Sequence, residues 1–359
     1  MPAVDRISAL VDEMFARGIG SAAAVSIGDA GREVERMFRG HTRRLPTVGG
    51  PVDEHTWFDV ASLTKPIATV ASAMVLVGDG ALALETPIRH WLPAATSTGT
   101  VRHLLGHAAG CAAHVEFFKR AFGPDPRAEL VAMAMAEPAT APGIAALYSD
   151  LGYLMLGAIV EKSAGLPLER AFAELVAEPL GLGARYAGMT AIAGAVATEL
   201  DERTGAAAVV EGRVHDENAW FGGGVCGHAG LFARLDDVAR FAAAILDTAA
   251  GTPRGRLRTE VVNRFFSESG APGASWRLGW DTASAAPGVS HAGDRWPRTG
   301  SVGHMGFTGV SLWLDLPRRR WVTLLTNRVH PTRFGDSADA IKALRRGVND
   351  AAIDLLDRR

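Results

Sequence analysis

One serine and one lysine stand at a spacing that could do chemistry: Ser62 and Lys65, three residues apart in Ala61-Ser62-Leu63-Thr64-Lys65-Pro66. Lysine is scarce here. The chain has 37 Lys+Arg, and only Lys65, Lys119, Lys162 and Lys342 are lysines. Arginine replaces lysine wherever only positive charge is wanted, but it cannot lose its proton in a protein. A lysine kept one helical turn from a serine is therefore a candidate for activating it. With 16 serines in 359 residues, chance alone supplies such a spacing roughly 0.2 times. The plainer reading is a helix-capping serine with an exposed lysine, so the rest of the chain must decide.

Two further segments have suitable chemistry. Tyr148-Ser149-Asp150 contains one of only three tyrosines and directly precedes a helical pattern. A phenol beside a lysine can relay protons when the cation lowers its pKa. The alternative is a capping turn with Asp150 as the N-cap and Tyr148 packed nearby. Gly303-His304-Met305-Gly306-Phe307-Thr308-Gly309 precedes a strand-like run. Its small residues let a backbone edge approach a substrate, and an N–H from that edge could complete an oxyanion hole with that of Ser62. The alternative is a glycine-rich bend. His-x-Gly also occurs at His228-Ala229-Gly230 and His291-Ala292-Gly293.

The elements that must position these residues follow from periodicity. Val4, Ile7, Leu10, Val11, Met14 and Phe15 mark an opening amphipathic helix. Ala22 to Ile27 and Glu33 to Phe38 read as strands around a turn at Asp29-Ala30-Gly31. The stretch from Arg39 to His55 reads as a loop. A helix is expected from Ser62 to Gly78, with Pro66 in its first turn. Helices follow at Val101–Gly106, Arg127–Glu137, Leu151–Ser163, Leu168–Ala177 and Leu235–Leu246, with a loop-like stretch from Gly183 to Gly230. Val310–Asp315 and Trp321–Thr326 read as paired strands, and Ser337 to Leu356 as the closing helix. Strands at both ends with helices between them imply an α/β (α+β) protein, one sheet built from both termini. The expected division is a sheet domain of residues 1–60 and 247–359 and a mainly helical lobe of residues 61–246, with a cleft between.

Composition narrows the function classes. Hydrophobic content of 48%, charged content of 21% and net charge −2 describe a globular protein with no global field for nucleic acid or anionic membrane. The basic run Arg318-Arg319-Arg320 reads as a solvated hairpin turn. Cys111 and Cys226 have no metal-ligand spacing and make no disulfide framework. The apolar run Ile67 to Val77 is too short to span a bilayer. No basic-then-apolar leader opens the chain. The expectation is a cytoplasmic enzyme, export by an unusual signal being the alternative.

In this order, Ser62/Lys65, Tyr148/Asp150 and His304/Gly306 resemble the three motifs of the serine β-lactamase and penicillin-binding protein superfamily, nearest to its class C β-lactamase and esterase branch. Val101-Arg102-His103-Leu104-Leu105-Gly106-His107 and Gly227-His228-Ala229-Gly230-Leu231-Phe232 add family-like phrases. The resemblance runs from about Ala22 to Thr326. It implies a β-lactamase/transpeptidase-like fold: an antiparallel sheet flanked by helices, with an inserted helical lobe. It also implies Ser62 as a nucleophile forming an acyl-enzyme, Lys65 and Tyr148 as its proton handlers, the N–H groups of Ser62 and Phe307 as an oxyanion hole, and Asp150, His304 and Gly306 at the binding edge. No cofactor or metal is implied, and the partner is a small ester, amide or acyl substrate.

Two departures narrow the chemistry. Asp150 stands where the family often has asparagine; its charge would hold Lys65 protonated, oppose a Tyr148 phenolate and repel an anionic substrate. His304 and Met305 stand where the family often has lysine and a hydroxyl residue, and histidine is mostly neutral at pH 7. β-Lactams and D-Ala-D-Ala peptides present a carboxylate to that edge. The expectation is therefore hydrolysis of neutral esters, with β-lactamase, D-Ala-D-Ala carboxypeptidase, acyltransferase and non-catalytic acyl-ligand sensor as alternatives. Arg295 or Arg298 could restore the missing charge. Gly222-Gly223-Gly224-Val225-Cys226-Gly227 fits a dinucleotide motif formally but follows no strand. Cys226 near His228 reads as a small buried thiol, and His215-Asp216-Glu217 as a loop bordering the cleft rather than a metal site. No Gly-x-Ser-x-Gly elbow is present.

Overall fold

The computed structural model describes residues 3–120, 122–201, 203, 208–286 and 288–358. Its strands are β1 (Ala22–Asp29), β2 (Arg32–Gly40), β3 (Phe58–Asp59), β4 (Arg185–Tyr186), β5 (Ala197–Asp201), β6 (Ala208–Glu211), β7 (Leu231–Ala233), β8 (Asp281–Thr282), β9 (Ser301–Met305), β10 (Ser311–Asp315) and β11 (Arg320–Thr326). The principal sheet has the order β2-β1-β11-β10-β9-β8, and every neighbouring pair is antiparallel. Strands from the two ends of the chain thus lie side by side, Ala24 opposite Leu325.

Both faces of this sheet are covered, which is why its central strands read as continuous apolar runs. Side chains alternate across a strand. Ala23, Val25 and Ile27 with Val322 and Leu324 pack toward the terminal helices Ala3–Ala16 and Ser337–Leu356. Ala22 and Ala24 with Trp321 and Leu325 face the large core shared with the helical lobe. The β1–β2 turn takes positive φ at Ala30 and Gly31, a twist suited to a two-residue hairpin. The arginine run is indeed at the β10–β11 turn. Its three side chains are paired rather than merely solvated: Arg318 with Asp315, Arg319 with Asp247 and Arg320 with Asp29.

The segment carrying Ser62 and Lys65 is helical throughout but irregular. It opens as a tight turn (Ala61–Leu63), widens to a π-type turn (Lys65–Val70) and becomes regular at Ala71–Gly78. Pro66 lacks an N–H and lies where the winding changes. Among the described residues this run, Ala61–Gly78, is the one helix long and apolar enough to cross a membrane; 83% of it is buried inside the protein. It exceeds the stretch Ile67–Val77 read from sequence because the helical run begins at Ala61 and its flanking residues keep the mean hydropathy high.

The helix after Tyr148 spans Asp150–Ala164, and its N-cap is Ser149, not Asp150: Ser149 Oγ accepts the Gly152 N–H at 3.0 Å. The cap leaves the Asp150 carboxylate free to turn toward Lys65. The loop-like stretch 183–230 contains the hairpin β5–β6 and the short helix Glu217–Phe221. The helix Thr259–Ser267 and the strand β9 were not anticipated; β9 is only five residues long and contains a glycine, a weak β pattern.

Candidate functional site

Lys65 is wholly buried, and its Nζ donates to Ser62 Oγ (3.0 Å), Asp150 Oδ1 (2.7 Å) and the His228 carbonyl (3.1 Å). Three acceptors match the three protons of an ammonium. Burial opposes that charge, but Asp150 and Tyr148 outweigh it and hold Lys65 above the ordinary lysine value. Burial likewise opposes the Asp150 charge, and Lys65 with His114 overcomes it, so its carboxyl lies well below the usual range. Tyr148 lies against this pair, with Lys65 Nζ 4.8 Å from its ring centre. Burial raises the phenol's pKa despite the pull of Lys65 and Ser62. At rest the site is therefore ammonium, carboxylate and phenol, with no free base on Ser62.

Two buried residues that sequence reasoning left without a role set this geometry. His107 brackets Tyr148: its carbonyl accepts the Leu147 N–H (2.8 Å) and its Nδ1 accepts the Ser149 N–H (3.1 Å). Nδ1 is thus unprotonated, and burial followed by Lys65 holds the ring neutral. The ring also packs against Tyr148, Tyr153 and Trp276. Its positive φ of 55° marks a backbone kept where side chains rarely sit. The second is Asp59, whose carboxylate accepts the N–H groups of Ala61 (2.8 Å) and His215 (2.7 Å).

The third segment forms the opposite wall. β8 pairs only with Val302 and Gly303 of β9, leaving the edge from His304 onward uncovered by a strand. Gly306 touches the serine segment so closely that a Cβ there would stand 2.7 Å from the Val60 carbonyl. His304 Nδ1 is 2.9 Å from the Met305 carbonyl; a carbonyl only accepts, so Nδ1 bears the proton. Burial, then Lys65, pushes His304 down to about 3. It is neutral, as expected, and supplies no cation. Gly306 N–H is satisfied by Val310, whereas the N–H groups of Ser62 and Phe307 have no acceptor among the described residues. Both are available to an oxyanion.

Ser62, Tyr148, Asp150, His304, Gly306 and Phe307 line one cavity of about 520 Å³. The sequence-derived residues therefore come together, with Lys65 directly beneath. Arg295 and Arg298, which could have restored the missing charge, do not line the cavity and pair with Asp354 and Asp294. Arg328, Arg333 and Arg345 line the cavity instead. Arg333 is matched by Glu199 and Glu217; Arg328 and Arg345 have no acidic partner among the described residues. They hold the 306–310 turn through its carbonyls, Arg328 Nε on Phe307 (2.8 Å) and Arg345 Nη2 on Gly306 (2.6 Å) and Val310 (2.8 Å). The available signal was an arginine on the apolar face of the closing helix, beside Ile341, Leu344 and Val348.

Of the other motifs, His215-Asp216-Glu217 borders the cavity, as its reading from sequence had it. Among the described residues no group of His, Cys, Asp and Glu could hold a metal ion. His215 and Asp216 are engaged by Glu199 and His228 at 3.0 Å each. Cys226 is buried and its thiol is pushed far up by burial. Gly222 and Gly224 follow a short helix and abut backbone, with no preceding strand.

The antiparallel sheet, helical lobe and Ser-Lys-Tyr cluster define a serine hydrolase of the β-lactamase/transpeptidase-like fold. Among solved structures the chain resembles "EstCE1, a hydrolase with promiscuous acyltransferase activity" (TM-score 0.74, 22% identity, 98% of each chain covered). It also resembles "A class C beta-lactamase" (TM-score 0.69, 17% identity, 96% of this chain and 95% of that one). The chain belongs to the Beta-lactamase family, whose model matches residues 7–346. A relative from Escherichia coli (strain K12), named a putative D-alanyl-D-alanine carboxypeptidase, is 28% identical over 308 residues, covering 77% of this chain and 70% of the relative.

Proposed function

We propose that the protein hydrolyses neutral esters through an acyl-enzyme on Ser62. The observation that carries this reading is the Lys65 contact network, which aims a buried proton-handling group at Ser62 Oγ from 3.0 Å. The active form is the one in which the Lys65–Tyr148 pair has released one proton. Ser62 Oγ attacks the acyl carbon and its proton passes to that pair. The N–H groups of Ser62 and Phe307 hold the oxyanion. Collapse expels the alcohol, which takes the proton from the pair. Water then repeats the sequence on the acyl-enzyme and frees the acid. The preference for neutral esters rests on His304, which is uncharged, on Met305, which offers no hydroxyl, and on Asp150 in the cavity wall.

A second reading, cleavage of a D-Ala-D-Ala-type peptide, is favoured by one observation: Arg328 and Arg345 bring positive charge to the cavity without acidic partners. Intact-mass analysis decides between them. The purified protein is mixed with a short p-nitrophenyl ester, nitrocefin and a D-Ala-D-Ala peptide. Acylation at Ser62 with fast turnover of the ester alone supports the proposal. Turnover of the peptide or of nitrocefin at a rate comparable to that of the ester sinks it.

A further inference from the structure

The two N–H groups offered as the oxyanion hole come from segments far apart in sequence, around Ser62 and Phe307, and one buried residue reaches both. Asp59 is 1% exposed and has no lysine or arginine partner among the described residues. Its Oδ1 accepts the Ala61 N–H and its Oδ2 the His215 N–H. Its own carbonyl accepts the Thr308 hydroxyl at 2.8 Å. Thr308 directly follows Phe307 and is itself 1% exposed.

The conformation at Ala61 explains what the carboxylate does. Ala61 has φ 45° although it is not glycine, a region in which Cβ crowds the backbone. Its N–H is turned back onto Asp59, and the next N–H, that of Ser62, is left without an acceptor. On the far wall the peptide groups around Phe307 are pinned on both sides. Arg345 holds the Gly306 carbonyl, Arg328 Nε holds that of Phe307, and the Arg328 N–H holds that of Thr308. The Thr308 hydroxyl ties this turn across to Asp59.

We propose that Asp59 is a positioning residue for the oxyanion hole, its carboxylate fixing the Ala61–Ser62 turn and its carbonyl, through Thr308, fixing the Phe307 turn against it. The proposal rests on the acyl-enzyme reading of Ser62. Stabilisation of an oxyanion depends on both donors lying about 2.7–3.1 Å from one oxygen position. Loosening either turn therefore weakens the transition state more than it weakens substrate binding. Asparagine is no substitute at position 59: both carboxylate oxygens accept N–H groups, so an amide NH2 would face one of those donors.

The test uses Asp59→Asn, Thr308→Val and Thr308→Ser in the full chain. Active sites are counted with a fluorophosphonate, and kcat, KM, melting temperature and inhibition by a phenylboronic acid are measured. The boronate forms a tetrahedral adduct on serine and places an oxygen in the oxyanion position. Expected are falls in kcat of about 30-fold or more for Asp59→Asn and about 10-fold for Thr308→Val, below or near the factor of 10²–10³ for losing a whole donor. Boronate affinity falls with kcat, and KM stays within about threefold, the pattern of an interaction made only in the transition state. Thr308→Ser restores the hydroxyl and both parameters. A purely structural role would lower the melting temperature and leave kcat per active site and boronate affinity at wild-type values. Should Asp59→Asn fail to fold, the Thr308 pair decides. Equal behaviour of Thr308→Val and Thr308→Ser, or wild-type values in both, overturns the inference while the Ser62 reading stands. No fluorophosphonate label on Ser62 in the wild type overturns both.

Discussion

Replacing Asp150 with Asn removes a charge 2.7 Å from Lys65 Nζ while keeping an oxygen that can accept the same hydrogen bond. An opposite charge this close moves a pKa by about 1–3 units, about 1.4–4 kcal/mol. The sign follows from the causes. Burial already disfavours the Lys65 ammonium, and Asp150 is the largest influence acting against it. Without Asp150, burial dominates and the lysine releases its proton at lower pH. Asp150 also raises the Tyr148 pKa, so the phenol moves the same way, and the outcome does not depend on which group takes the Ser62 proton. The two groups titrate as a unit. The assay is kcat/KM for a short p-nitrophenyl ester across pH 4.5–9, with a control for melting temperature. The midpoint of the acid limb should move about 1–3 units to lower pH. An unmoved limb, even with lower activity at every pH, would refute electrostatic control by Asp150 and leave it a contact to substrate.

Gly306→Ala puts a methyl group 2.7 Å from the Val60 carbonyl and closer still to Val310. A cost of about 1–3 kcal/mol is expected, measured by urea unfolding, with a fall in kcat because the two walls are pushed apart. His107→Phe keeps the ring packing but strands the Ser149 N–H, which should cost about 1–3 kcal/mol and lower kcat by displacing Tyr148. A variant as stable and active as wild type would remove His107 from the account. The buried thiols should be inert in the native state, with Cys111 pushed up to about 11 by burial. A disulfide reagent at pH 8 should find both only after denaturation, and rapid native labelling would contradict their burial.

Ser62 and Lys65 were legible because their relation is local: three residues on a helical turn share a face whatever surrounds them. The strands β1, β10 and β11 were legible for the same reason, their apolar runs being bounded by turn residues, and β2 by its place across the turn from β1. Tyr148 and His304 were found as motifs in order along the chain, but nothing in their spacing places them together. The capping alternative named the wrong neighbour: serine and aspartate both cap helices well, and Lys65, 85 residues away, with His114 gives Asp150 other work. Asp59 and Arg328 carry no local signature of function, His107 only closes a family-like phrase, and Arg345 is marked only by its place on an apolar helix face. Their bonds to Ala61, Ser149, Phe307 and Gly306 exist because burial leaves a polar group no water and obliges it to find a partner. The adjacency of a serine and a lysine was thus written in the sequence. The protonation state of that lysine and the meeting of Ser62 and Phe307 at one cavity were decided by the tertiary structure, since both depend on distances that only packing sets.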